Sequence, residues 1–343
     1  MTLWTDIIDP ATLTGYARAS LADYEASKGT LARWLPNRTI ADIVARFVAG
    51  QSGLVDVADF RAWDAEITLG KGPDGKRVTI ELPAVGRDIP ISEYNQLRAL
   101  GANPSDEAVL QSIQRTTDIV VRAVADAVER MRGVVLQTGK ATLAGFMDDD
   151  FGRAAGHTVA PGTLWSDPAA DALSNLTAWS DTYTDANGVP PGAIVTSTRV
   201  LRAMATLTQM KTQLVNGASR PATVEDVQNT ISAAGLPPIY IYDRRVSIAG
   251  SATKVLGDDK LLLLPEAVEP DDFAGTELGA TFWGRTLSSV EADWGIEDAE
   301  QPGLVAGVYR NQKPPMIAEV ISDAVALPVL ANANLSMVAD VLA

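Results

Sequence analysis

SDEAVLQSIQRTTDIVVRAVADAVERMRGVVLQ, residues 105–137, is the stretch whose reading decides the fold. Ser105-Asp106-Glu107, directly after Pro104, is a capping and acidic helix start. Val109, Ile113, Thr117, Val120, Val124, Ala127, Met131 and Val135 then follow at steps of three or four. That spacing keeps one face apolar for about seven helical turns. The opposite face carries Asp118, Arg122, Asp126 and Arg130, alternating in sign and each four apart. Such i,i+4 pairs add a few tenths of a kcal/mol each. The ladder is read either as a solvated face or as a rail on which a charged segment of a partner docks. Gly133 lies near the far end of the helix, and Gly139 breaks it.

Upstream the pattern changes. Phe60 to Leu69 and Val78 to Leu82 are strand-like, and Gly70-Lys71-Gly72-Pro73-Asp74-Gly75-Lys76-Arg77 between them is turn chemistry. The expectation is a long two-stranded hairpin. An isolated hairpin is marginal in water, so it needs another surface, such as a neighbouring subunit. The first fifty residues read as short helices. Asp9-Pro10 opens one that carries Leu13, Ala17, Leu21 and Tyr24, and a second is expected over Ile40–Val48, ending near Gly50. Their low apolar density suggests an arm rather than a domain.

Downstream, a polar Gly-rich segment leads to a short helix with Leu173, Leu176 and Trp179. The middle is α/β. A strand is expected at Ala193–Thr196, then a helix capped by Thr198 with Leu201, Met204, Leu207 and Leu214. A further helix opens at Thr223-Val224-Glu225-Asp226 and ends near Gly235, and strands follow at Ile239–Tyr242 and Lys260–Leu264. Pro190-Pro191, Pro237-Pro238 and Pro314-Pro315 each precede a β-like run, the last at Met316–Ile321. Proline biases the residue before it towards extended backbone, which suits a strand entry.

Composition narrows the chemistry. The 343 residues hold no cysteine and one histidine, so thiol nucleophiles, disulfides and thiolate metal sites are absent. The formal net charge of −15 supplies no general basic stripe for gripping phosphates, although a container need not grip its contents. No signal peptide or membrane-spanning run is evident, and a soluble, cytoplasmic chain is expected. Residues 70–77 match seven positions of a phosphate-binding loop, but Arg77 replaces the Ser or Thr that holds magnesium, and the loop runs into a strand instead of a helix. His157, in a Gly-rich stretch, is read as a surface or loop histidine. Asp148-Asp149-Asp150 and Asp271-Asp272 lack the ligand spacing of a calcium loop and read as solvated acidic turns. No motif singles out a carboxylate pair for glycoside hydrolysis. No catalytic residue, cofactor or metal is assigned, and a carboxylate-based hydrolase stands as a remote alternative.

The order of elements, together with several local stretches, resembles a known family. These stretches are Leu82-Pro83-Ala84-Val85-Gly86-Arg87-Asp88-Ile89-Pro90-Ile91-Ser92-Glu93, Leu164-Trp165-Ser166-Asp167-Pro168-Ala169-Ala170-Asp171-Ala172, Leu236-Pro237-Pro238-Ile239-Tyr240-Ile241-Tyr242-Asp243, and Ala326-Leu327-Pro328-Val329-Leu330-Ala331-Asn332-Ala333-Asn334. The chain is similar to the lambda gpE-like major capsid proteins of tailed phages, which have the Hong Kong 97-like fold. The resemblance implies an α+β fold with an N-terminal arm (1–54), an extended hairpin loop (55–91) and a peripheral domain (92–179) with its spine helix at 105–137. It further implies an α/β axial domain (180–284), return strands of the peripheral domain (285–325) and a C-terminal return to the axial domain (326–343). It also implies a homo-oligomer of pentamers and hexamers in an icosahedral head that encloses double-stranded DNA without sequence-specific binding. Portal, decoration and separate scaffolding proteins are its candidate partners, no membrane is involved, and the virion is assembled in the host cytoplasm. Trp63, Glu66, Lys71 and Lys76 become candidate inter-subunit contacts for Asp118, Arg122, Asp126 and Arg130 of a neighbour. The chain begins directly at the arm, so any scaffold is expected to be a separate protein. No Lys–Asn cross-link is predicted. An encapsulin-type nanocompartment shell is the alternative within the same fold.

Overall fold

The computed structural model describes residues 1–49, 76–100, 106–143, 145–212, 222–271 and 276–343. Strand β1 (Thr2–Leu3) precedes helix α1 (Pro10–Lys28). Asp9 caps α1 by accepting a hydrogen bond from the Thr12 amide at 2.8 Å, and Pro10 occupies the first turn, where its missing N–H is harmless. Leu13 and Ala17 are buried among residues of the six-stranded sheet and the long helix of this same chain. Residues 10–35 pack into their own chain, where Leu13, Ala17, Leu31 and Leu35 find partners that composition alone does not reveal.

The helix expected over Ile40–Val48 is instead a strand. After β2 (Asn37–Thr39), β3 (Val44–Ala49) pairs antiparallel with β4 (Lys76–Glu81), from Val44 opposite Glu81 to Ala49 opposite Lys76. Ala45 is buried and Phe47 half-buried while Arg46 is exposed, so a period of two overrides helix propensity in this β-branched segment. The strand seen against β4 is thus β3. The other expected hairpin strand, Phe60–Leu69, and the tip lie outside the described residues. Strand β5 (Ala84–Ile91) and helix α2 (Glu93–Leu100) lead to the long helix α3 (Asp106–Thr138).

Helix α3 matches its expectation in length and serves two cores. Val109, Ile113, Val120, Val121, Val124 and Val128 pack under a six-stranded sheet, and Val135 and Leu136 belong to a second core. Each fully buried Val or Leu contributes about 1.5–3 kcal/mol. The buried stripe includes Val128 and Arg132, whereas Ala127 is exposed and Met131 half-buried. The apolar face is therefore displaced by one residue from its expected track in the last turns.

Beyond α3 come the hairpin of β6 (Lys140–Leu143) and β7 (Met147–Asp150), then β8 (Thr158–Val159) and helix α4 (Ala172–Asn187). Strand β9 (Ala193–Thr196), helices α5 (Thr198–Thr206), α6 (Thr208–Thr212) and α7 (Val224–Ala233), and β10 (Ile239–Ile241) follow. The hairpin β11 (Arg245–Ile248) and β12 (Ser251–Lys254) precedes β13 (Lys260–Leu264) and β14 (Gly279–Gly284). The short helix α8 (Leu287–Val290), then β15 (Val305–Arg310), β16 (Ala318–Leu330) and β17 (Met337–Asp340), completes the order.

Two sheets organise these elements. The six-stranded sheet runs β1-β15-β16-β14-β2, with β5 also paired to β16. The five-stranded sheet runs β10-β9-β13-β17-β8, with β9 parallel to β10 and β13 antiparallel to both β9 and β17. Its central strands are continuous apolar runs because side chains of α4, α5 and α7 pack with them in one core. Ser197, not Thr198, caps α5 by accepting from the Val200 amide, whereas α7 opens at Thr223 as expected, and there Thr223 and Asp226 form a capping box.

Three elements bear on the expected boundaries at 180, 284 and 326. Helix α4 spans position 180 and packs with the five-stranded sheet through Leu176, Trp179 and Tyr183. Strand β14, inside 180–284, pairs with β16 in the other sheet. Strand β16 continues past 326 to Leu330, so the chain reaches the five-stranded sheet only at Met337. Strand partners lie tens of residues away, and linear composition does not say which sheet a strand joins.

Candidate functional site

Helix α3 presents charge in two directions. Inward, Arg132 is fully buried and its guanidinium is saturated. Its Nε donates to Thr281 Oγ1 at 2.9 Å. Its Nη1 donates to Glu25 Oε1 (2.8 Å), Glu129 Oε2 (2.9 Å) and Thr30 Oγ1 (3.0 Å), and Nη2 donates to Asn37 Oδ1 (2.6 Å). Glu129, one turn earlier, accepts from the Leu31 amide at 2.7 Å, from Thr30 Oγ1 at 3.0 Å and from the Tyr242 hydroxyl. Arg244 Nη1 lies 3.8 Å from Glu129, and Arg244 also donates to Asp126 (3.0 Å) and to the Gly29 carbonyl (2.9 Å). One knot therefore ties α1, the turn after it, α3, β2, β14 and the segment after β10.

Burial opposes ionisation of Glu129, but Arg132, Arg244, the Tyr242 hydroxyl and the Leu31 amide outweigh it and hold the carboxyl below its usual range. Burial likewise opposes the charge on Arg132, and Glu25 and Glu129 outweigh it, raising its pKa. Burial and the Glu129 carboxylate push the Tyr242 hydroxyl up. Sequence reading missed this network. The signal was present: Val121, Ala125, Val128, Arg132 and Leu136 form a second walk at helical spacing, and Arg132 is the residue on it that breaks the apolar rule.

Outward, the ladder divides by sign. Asp118 accepts from Tyr16 (3.1 Å) and Ser20 (2.8 Å), and Asp126 accepts from Tyr24 (3.1 Å) as well as Arg244. The two acids are thus engaged by α1 and the 244 segment of the same chain. Arg122 is exposed, with its guanidinium 5.7 Å from the Tyr24 ring centre, and Arg130 is exposed. With Arg87 of β5 they line an open groove of about 690 Å³ between α3, β5 and the β11–β12 hairpin. Val85, Ile89, Ile119 and Ile248 give this groove an apolar floor and rim. Three arginines around one apolar groove stand out in a chain of net charge −15.

Of the other expected contacts, Trp63, Glu66 and Lys71 lie outside the described residues. Lys76 opens β4, so the phosphate-loop look-alike does run into a strand. His157 is not at the surface: the residue is 3 % exposed. Its 3-10 turn feeds β8 into the five-stranded sheet, which buries it. Asp150 pairs with Lys140 at 2.8 Å, and Asp148 accepts from Thr142 across the same hairpin. Asp271 accepts from Asn37, and Asp272 lies outside the described residues. Among the described residues no group of three or more His, Cys, Asp or Glu could hold a metal ion, and no helix is long and apolar enough to cross a membrane.

A crystal structure assigned as the capsid protein of a prophage in E. coli CFT073 superposes with a TM-score of 0.64 at 15% identity, covering 98% of this chain and 99% of that one. A phage-related protein from Bordetella bronchiseptica RB50 gives 0.59 at 14% identity, with 97% of each chain covered. At such identities the likeness shows the fold, which is Hong Kong 97-like. The family profile described as phage major capsid protein E matches residues 37–274. The chain belongs to that family, and it is a capsid shell protein. No curated protein matches it.

Proposed function

We propose that the chain assembles, through pentamers and hexamers of itself, into the icosahedral head of a tailed phage that encloses double-stranded DNA. In this reading it has no enzymatic activity of its own, and scaffolding, portal and decoration proteins are separate chains. The six-stranded sheet with α3 acts as the peripheral domain, and the five-stranded sheet with α4, α5 and α7 acts as the axial domain. The observation that carries the assembly reading is the open groove with Arg87, Arg122 and Arg130. Its complement lies in the same sequence: Asp56, Asp59, Asp64 and Glu66 accompany Phe60 and Trp63. The loop of one copy, through Trp63 and Glu66, engages the groove of the next, while Lys71 and Lys76 at its basic end meet acidic groups elsewhere on that neighbour. Each contact is modest, but closed symmetry repeats it over the whole shell.

The test is to express the chain alone and beside neighbouring phage genes, and to image the product by electron microscopy. Shells, pentamers or hexamers support the reading, and a stable monomer under every condition, even at high concentration, sinks it. A shell that co-purifies with a cargo protein and no DNA favours the nanocompartment alternative. Deleting residues 69–75, which spares β4, should leave a folded subunit that assembles poorly. Normal shells from this variant would remove the loop from the interface.

A further inference from the structure

His157 is the chain's single histidine and is nearly inaccessible, at 3 % exposure. It closes the 3-10 turn Ala155–His157, and the next two residues are β8, which pairs with β17 through Thr158–Val338 and Val159–Ala339. Neither Nδ1 nor Nε2 has a hydrogen-bond partner in the protein. The ring packs 6.5 Å, centre to centre, from Tyr183 of α4, whose hydroxyl donates to the Leu335 carbonyl. Arg153 stands nearby and clasps three groups: the last carbonyls of α3, at Leu136 (2.6 Å) and Gln137 (3.0 Å), and the Ser336 hydroxyl (2.8 Å) just before β17.

We propose that His157 is an acid-sensitive latch: its protonation separates β8 from β17 and loosens the Arg153 clasp on the end of α3. A second cation placed here has no carboxylate to meet. On its own segment the charged groups are Arg153, which repels it, and Asp150, which pairs with Lys140 and accepts from the Gly152 amide. On α4, Asp181 and Asp185 are exposed and flank the buried Tyr183. On β17 the one charged residue, Asp340, pairs with Lys260. The turn before β17 offers only neutral groups. Protonation therefore buries a charge and a new donor without a partner, the arrangement proteins tolerate least.

Burial first, and then Arg153, lowers the His157 pKa from its ordinary value. The sign follows. A base whose folded value lies below its unfolded one is protonated preferentially in the unfolded chain, so stability falls as pH drops. The neutral latch is fully effective above about pH 6.5, the unfolded value. Each pH unit crossed between the unfolded and folded values weakens the folded state about tenfold.

The direct test is hydrogen–deuterium exchange at the imidazole Cε1–H of the full chain, read by mass spectrometry from pH 4.5 to 8, native and in denaturant. A single histidine gives one unambiguous titration, in subunit or shell. The native midpoint should lie below the denatured one, with slower exchange; a native midpoint equal or higher overturns the proposal. Amide exchange, corrected for its intrinsic pH dependence, should show 158–159 and 338–339 losing protection at pH 5.5 before the rest of the sheet. Retained or uniformly lost protection overturns the strand-release step. Between pH 7.5 and 5.5, Tm should fall more for the wild type than for His157→Phe or His157→Gln, and equal falls argue against the latch. Should both variants fail to fold, the exchange titration of the wild type decides alone.

Discussion

Arg130 and Arg132 lie two residues apart on one helix, with opposite surroundings. Arg132 is wholly buried and meets five oxygen acceptors, two of them carboxylates, from five different parts of the chain. Arg130 is exposed and lines an open groove with Arg122 and Arg87. The buried cation is satisfied by its own subunit and fixes how that subunit's parts meet. The exposed ones are available to a partner. The same residue type on the same helix thus fixes internal geometry on one side and stays exposed on the other, the side that the proposed assembly would use.

The sharpest way to break this contrast is to remove the inner cation. Arg132→Met leaves Glu25 and Glu129 buried without their principal partner and should destabilise the subunit by about 3–5 kcal/mol, read from the denaturant midpoint. A loss under about 1 kcal/mol would mean the knot is not what joins the parts. Next in size is Gly133→Ala, on the same buried face. Alanine favours a helix by about 1 kcal/mol, but its Cβ would come within 2.5 Å of the Val255 carbonyl oxygen. The clash should win, with a net destabilisation of about 1–3 kcal/mol by thermal unfolding. Asp9→Ala removes the cap of α1, the helix that covers the ladder's acids, and should lower stability by about 1 kcal/mol. Smallest in stability is the double reversal Arg122→Glu and Arg130→Glu, expected to change unfolding by no more than about 0.5 kcal/mol. Its effect should appear instead in sedimentation, as a reduced yield of particles. Normal particle yield would return these arginines to the status of solvated surface.

Acid sharpens the contrast further. The Glu129 carboxyl is held below its usual range, so its contribution is complete above the unfolded value of about 4.3 and disappears only as pH falls through the folded one. At pH 5.5 the knot is intact, and any softening near β8 and β17 is separable from it.

Much of this molecule was legible in its sequence because local signals agreed with their surroundings. The long helix announced itself by periodicity, and all three Pro-Pro pairs do precede strands. The opening of α7 at Thr223 was readable from four residues. What was not legible depended on partners distant in sequence. Val44–Ala49 becomes a strand because β4, some thirty residues on, offers it an edge. Arg132 goes inside because Glu25, Thr30, Asn37 and Thr281 meet it there, and His157 is covered by a strand that arrives 180 residues later. Two acids of the ladder are engaged by Tyr16, Ser20, Tyr24 and Arg244, which no spacing rule places beside them.

Strand β16 carries a consequence for timing. It pairs along its length with β5, β14 and β15, whose nearest residues precede it by more than two hundred, by about thirty and by fewer than ten positions. A nascent chain that has not yet reached Ala318 holds β5 and β14 with open edges and no strand to join them. Contacts of such sequence separation close slowly. The six-stranded sheet therefore closes only once Ala318–Leu330 has been made, and until then the surface that packs beneath the long helix is incomplete.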